Sequence, residues 1–112
     1  MPKSAEGYPR RGEICIVRLD KDRPALIISN DALNRHALDI CVVPVTSVER
    51  GRFSLRIPLA AGEGGLKKNS WAKCDQVTTL DRTLVRYPPL GRLSGERLLE
   101  IEKAIKIALD LP

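Results

Sequence analysis

The sequence predicts a mainly β domain, a small and strongly bent barrel with one helix appended at its C-terminus. Three observations predict it. Short β-branched runs recur along the chain, turns rich in Gly and Pro separate them, and only the C-terminal stretch repeats apolar residues at helical spacing.

In chain order, Met1 to Pro9 is polar and holds Pro2 and Pro9, so 1–9 reads as a flexible tail ahead of a single domain over 10–112. Ile14-Cys15-Ile16-Val17-Arg18 is a first strand by its β-branched content. Leu19 to Asp22 is a tight charged connection. Pro24 has no N–H to give a ladder, so it is expected at the start of a second strand, Ala25 to Ser29. Asn30 or Asp31 can cap a helical turn before the third strand, Ile40 to Val45, which ends on Thr46-Ser47. Glu49-Arg50-Gly51-Arg52 is a turn, and Phe53 to Ile57 a fourth strand. Gly62, Gly64 and Gly65, followed by Lys67 and Lys68, predict a mobile basic loop over Ala60 to Asn69. The Gly-Lys-Ser/Thr order of a nucleotide phosphate loop is missing.

In the fifth strand, Ser70 to Cys74, alternation sorts the residues. Ser70, Ala72 and Cys74 share one face, while Trp71 and Lys73, with Asp75 beyond, share the other. That second face is either a substrate surface or a core tryptophan beside an edge ion pair, and the residues alone leave both open. Gln76 to Arg82 is a further extended piece, and Tyr87-Pro88-Pro89 a break. The final helix has Ser94 as its cap and an apolar stripe of Leu98, Ile101, Ile105, Ala108 and Leu109.

With 112 residues, 43% of them hydrophobic, the chain can bury one modest core. A net charge of +5 suits an anionic partner and also a plain basic domain. Cys15, Cys41 and Cys74 are odd in number, lack close metal-type spacing and lie in apolar runs. They predict buried free thiols, no zinc site and a reducing cytoplasmic location. The polar start predicts no secretory signal, and no apolar run is long enough to span a bilayer.

Chemistry concentrates at two strand ends, with Arg23 where the second strand begins and Thr46 where the third stops. If these strands are antiparallel neighbours, a cation and a hydroxyl face one patch. The plainer alternative is an Arg23–Asp75 ion pair and a threonine that merely ends a strand.

Six stretches, in order, resemble the MazF/PemK family of toxin endoribonucleases. They are Arg11-Gly12-Glu13-Ile14; Arg23-Pro24; Ser29-Asn30-Asp31 with Asn34; Val43-Pro44-Val45-Thr46-Ser47; Gly62-Glu63-Gly64-Gly65-Leu66-Lys67-Lys68; and Cys74-Asp75-Gln76-Val77 with Leu80-Asp81. The resemblance implies a Src-homology-3-like barrel of the PemK/CcdB type and a homodimer. It also implies sequence-selective cleavage of single-stranded RNA without metal or other cofactor, and neutralisation by an antitoxin, expected to be acidic. By position, Arg23 and Thr46 match the family's catalytic centre. Lys73 and Asp75 match an arginine and an aspartate used in one branch, and a lysine there loses the planar two-pronged phosphate contact. Lys67, Lys68, Trp71, Ser47 and Gln76 are the expected RNA contacts. His36 matches no catalytic position, and Leu19 to Asp22 is shorter than the loop many relatives carry.

The implied chemistry uses the RNA's own 2′-hydroxyl as nucleophile. Asp75 is then the candidate base, Arg23 stabilises charge on the phosphorane, Thr46 donates to a phosphate oxygen, and Lys73 adds charge or a proton. The products are a 2′,3′-cyclic phosphate and a 5′-hydroxyl. Two other readings stand beside this one: a gyrase-poisoning toxin of the CcdB type, and a basic RNA-binding module without activity.

Overall fold

The computed structural model describes residues 7–49 and 55–112. The strands are β1 (Glu13–Arg18), β2 (Asp22–Ile27), β3 (Asp39–Thr46), β4 (Arg56–Leu59), β5 (Ser70–Lys73), β6 (Thr78–Asp81) and β7 (Gly91–Arg92). Helix α1 (Asp31–His36) lies between β2 and β3, and α2 (Gly95–Leu109) closes the chain; short 3-10 turns span Glu63–Gly65 and Arg82–Leu84. The strand order is β4-β5-β3-β2-β1-β7, with β6 also paired to β3 and every pairing antiparallel. This is the mainly β, curled sheet with one C-terminal helix that the sequence predicts.

Curvature comes from β3. One edge pairs with β2, while the other serves β6 at Asp39–Val42 and then β5 at Val45 and Thr46. Pro44 lies where that second edge changes partner. Alternate residues of the central strands enter two cores. Ile14, Leu26, Val43 and Val45 pack with Leu66, Leu93, Ile101 and Ala104, beneath α2. Cys15, Val17, Ala25, Ile27, Ile40 and Val42 form the other, with Leu80. Burial on both faces explains why these strands read as continuous apolar runs.

The strand boundaries differ from expectation at Pro24. Strand β2 begins at Asp22, so Pro24 lies inside it, opposite Ile16 of β1. The β3 ladder starts only at Ala25, so the residue without an N–H stands where β2 is paired on one side. The expected fourth strand is set at Arg56–Leu59; Phe53, Ser54 and the turn residues Arg50 to Arg52 lie outside the described residues. Of the tail, 1–6 also lies outside them, whereas Tyr8 and Pro9 are buried and Arg10 stacks over the Tyr8 ring at 4.7 Å.

The Ser29-Asn30-Asp31 stretch and Asn34 serve the fold. Asn30 caps α1 by accepting from the Leu33 amide at 2.9 Å, and Asp31 accepts from the Arg11 amide at 2.7 Å. Asn34 is fully buried; its amide donates to the Ser29 carbonyl at 2.9 Å and its oxygen accepts from the Ser29 hydroxyl. Cys15 and Cys74 are buried and Cys41 half-buried, all free thiols. Burial pushes Cys15 up to about 12 and Cys74 to about 11, which makes both inert. No helix among the described residues is long and apolar enough to cross a membrane.

The glycine-rich segment is packed rather than mobile. Gly65 has φ +79°, and a Cβ there would stand 2.1 Å from the Leu90 carbonyl oxygen; one on Gly91 would stand 2.5 Å from the Gly64 backbone. The glycines serve close approach of two backbones, so Gly65→Ala costs at least about 2 kcal/mol from the clash and the positive φ together. Urea unfolding checks this, and a stability equal to the parent's contradicts the packing described.

Candidate nucleic-acid groove

The register of β2 against β3 runs Ile27↔Val42, Leu26↔Val43, Ala25↔Pro44 and then stops. Continuing it by two residues sets Arg23 opposite Thr46. A groove of about 530 Å³ opens where the two strands cease to pair with each other. Ile16, Pro24, Val45, Leu66 and Leu90 supply its apolar lining, and Lys21, Arg23, Lys67 and Lys68 its cations, with Thr46 and Ser47 beside them. The groove thus gathers Arg23, Thr46, Ser47, Lys67 and Lys68 from the expected set.

Trp71, Lys73, Asp75 and Gln76 are not among its lining residues. Ser70, Ala72 and Cys74 are buried as alternation predicts, so Trp71 and Lys73 point to the outer face of β5. Trp71 is half-buried, belongs to neither core and is paired with Thr46 across the sheet. Lys73 follows on the same face opposite Arg56, and Asp75 is exposed just past the strand. Thr46 therefore stands at the junction of the groove and this second patch. His36, at the exposed end of α1, is in neither.

Arg23 pairs with Asp20, not Asp75. Its Nε donates to Asp20 Oδ1 at 2.8 Å and its Nη2 to Oδ2 at 3.0 Å. These bonds raise the arginine's pKa further and hold the Asp20 carboxyl well below the usual carboxylate range. Asp22 is engaged separately, by Arg18 at 3.2 Å and Arg86 at 2.6 Å. The Thr46 oxygen accepts from the Val48 amide at 3.1 Å, which leaves its O–H as a donor.

The lysine wall is anchored from α2. Arg97 donates to Glu63 through Nε at 2.8 Å and Nη2 at 3.0 Å, and Glu63 Oε2 also accepts from the Ala60 amide at 2.8 Å. Leu66 is buried, so Lys67 and Lys68 leave a fixed point of the core. The sequence reading missed Leu90 and Arg97, whose roles depend on contacts distant in the chain, and Lys21, which it placed in a plain charged connection. Asp20, three residues before Arg23, was the one legible signal.

Against known proteins, residues 10–109 match the PemK-like, MazF-like toxin family of type II toxin–antitoxin systems. The chain is 35% identical to Endoribonuclease MazF9 of Mycobacterium tuberculosis, an alignment covering 91% of this chain and 97% of that protein. Among solved structures it resembles the Mycobacterium tuberculosis toxin MazF-mt6, with TM-score 0.79 and 30% identity over 89% of this chain and 98% of that one. It also resembles a mycobacterial endoribonuclease solved in complex with its cognate antitoxin, with TM-score 0.80 and 28% identity over 93% and 97%. These similarities define the class, a toxin of a type II toxin–antitoxin system. The chain belongs to the PemK-like, MazF-like toxin family.

Hydrogen bonds from Arg97 lower the pKa of Glu63 below its ordinary 4.5. A carboxyl lowered in the folded state adds stability above its unfolded pKa and loses it as pH falls through the folded one. Glu63→Gln is therefore less stable than the parent near neutral pH. The gap in Tm narrows as the solution is acidified below the ordinary value, and a gap independent of pH contradicts the tie.

Proposed function

We propose that this chain is an endoribonuclease that cuts single-stranded RNA through attack of the 2′-hydroxyl on the adjacent phosphate, acting in the cytoplasm. The observation that carries this reading is the placement of Arg23 and Thr46 on the opposed ends of β2 and β3 that are no longer paired to each other, inside a groove walled by lysines. The Arg23 guanidinium neutralises charge on the phosphorane, and the Thr46 hydroxyl donates to one of its oxygens. Lys21, Lys67 and Lys68 hold neighbouring phosphates, and Ser47 contacts the strand as it passes Thr46. The scissile linkage lies at the Thr46 junction between the groove and the outer face of β5, where a flanking base stacks on Trp71 and Gln76 contacts the strand. Asp75 is the proposed base that takes the 2′-hydroxyl proton, and Lys73 gives a proton to the leaving 5′-oxygen as its bond to phosphorus breaks. The nucleophile belongs to the substrate and the charge to the protein, so cleavage proceeds without a metal.

The test is digestion of long single-stranded RNA in excess EDTA, which yields discrete fragments ending in 2′,3′-cyclic phosphate and beginning in 5′-hydroxyl. Loss of one transition-state donor costs about 10²–10³ in rate, so Arg23→Ala nearly abolishes cleavage, and Thr46→Ala and Asp75→Asn are severely impaired. Parental cleavage by Arg23→Ala overturns the assignment. Binding of RNA without any fragments would make the protein an inactive binding module, and inhibited DNA supercoiling with intact RNA a gyrase poison.

The partners follow from the same surfaces. Helix α2 leaves Leu99, Ile107 and Leu109 half or more exposed, apolar surface that a homodimer would cover. The lysine-walled groove fits an acidic, extended antitoxin segment whose carboxylates take the places of phosphates. Sedimentation at micromolar concentration is expected to give a dimer mass, and antitoxin and uncleavable RNA to displace one another. A monomer alone refutes the first, and simultaneous binding at undiminished affinity the second.

A further inference from the structure

We infer that Asp20 is a positioning residue that holds the Arg23 guanidinium edge-on, so that its remaining donors face the scissile phosphate; this rests on the endoribonuclease reading. A guanidinium offers two flat edges. Asp20 occupies the one made by Nε and Nη2, with bonds of 2.8 and 3.0 Å. Among the described residues, Nη1 gives no hydrogen bond to a protein acceptor, and Nη2 has a second hydrogen to offer. Those two make a parallel pair suited to two phosphate oxygens.

The placement of the carboxylate fits this role. Lys21, Asp22, Arg23 and Pro24 all line the groove, whereas Asp20, the next residue back, does not. It therefore grips the guanidinium from outside the groove. A carboxylate acting as an internal competitor would occupy the edge that a phosphate needs. The second acid of the connection cannot substitute, because Asp22 is held by Arg18 and Arg86. The short turn is itself closed by the Leu19 amide donating to the Lys21 carbonyl at 3.1 Å, which keeps Asp20 three residues before its partner and within reach. An arginine fixed before substrate arrives meets the developing charge without having to be ordered at that moment.

The experiment measures kcat and KM on one defined single-stranded RNA for the parent, Asp20→Ala, Asp20→Asn, Arg23→Ala and the Asp20→Ala/Arg23→Ala double variant. Misplacement of a catalytic group costs up to about 10²-fold, so Asp20→Ala is expected to lose at least about 10-fold in kcat with KM changed by less than about 3-fold. Asp20→Asn keeps one acceptor oxygen and is expected to recover part of that loss. In the Arg23→Ala background Asp20→Ala is expected to cause no further loss, since Asp20 acts only through Arg23. The nitrogen-15 resonance of the Arg23 Nε–H, slow to exchange in the parent, is expected to broaden or vanish in Asp20→Ala. A parental kcat in Asp20→Ala overturns the inference. So does a full additional loss in the Arg23→Ala background, or a lowered KM at unchanged kcat, which would make Asp20 a competitor. Parental cleavage is measured first: its absence removes the endoribonuclease reading and this inference together, whereas cleavage with an unchanged Asp20→Ala kcat removes this inference alone.

Discussion

The β2–β3 ladder holds the molecule together through Ala25↔Pro44, Leu26↔Val43 and Ile27↔Val42, and it ends one pair short of Pro24 and Val45. Its end matters as much as its pairs. Up to Ala25 the two strands are buried on both faces and belong to the two cores. Beyond it they lose their mutual bonds, and each is held on its outer edge, β2 by β1 and β3 by β5. Arg23 and Thr46 stand at the two ends so separated, and the groove is the space between them.

A groove made by strand separation needs walls that do not collapse, and the walls here are held by charge and by close backbone contact. On one side the Asp20–Arg23 and Asp22–Arg86 pairs stiffen the β1–β2 connection. On the other, Glu63 and Arg97 tie the glycine-rich turn to α2, and Leu66 plugs it into the core. The exposed ion pairs add little to stability individually. Their effect is on position: the Asp20 pair fixes Arg23 in the groove, and the Glu63–Arg97 pair holds the turn from which Lys67 and Lys68 extend.

Much of this was legible in the sequence, and the misses have physical causes. The central strands were visible as β-branched runs, and alternation in Ser70 to Cys74 correctly separated the buried face from Trp71 and Lys73. Continuous apolar runs give no internal mark of where a ladder stops, so β2 was expected to start at Ala25 when its pairing to β1 begins at Asp22. Gly62, Gly64 and Gly65 suggested freedom because composition cannot distinguish a loose backbone from one needing close approach; Leu90 and Gly91, far along the chain, decide it. Strand β7, Gly91–Arg92, is too short to carry any periodicity. In the site, Arg23 and Thr46 were placed by the antiparallel argument from their strand ends. The partner of Arg23 went instead to a three-residue neighbour, a local contact that wins because the turn sets it in reach.

The most direct measurement is a crystal structure with a single-stranded RNA carrying 2′-deoxyribose at the scissile position, which removes the nucleophile and leaves the phosphate in place. The account predicts that phosphate in the groove, within hydrogen-bond distance of both the Arg23 guanidinium and the Thr46 hydroxyl, with Asp20 still on the opposite edge of the arginine. An RNA bound with its scissile phosphate outside the β2–β3 split, and Arg23 and Thr46 touching no phosphate, would contradict it.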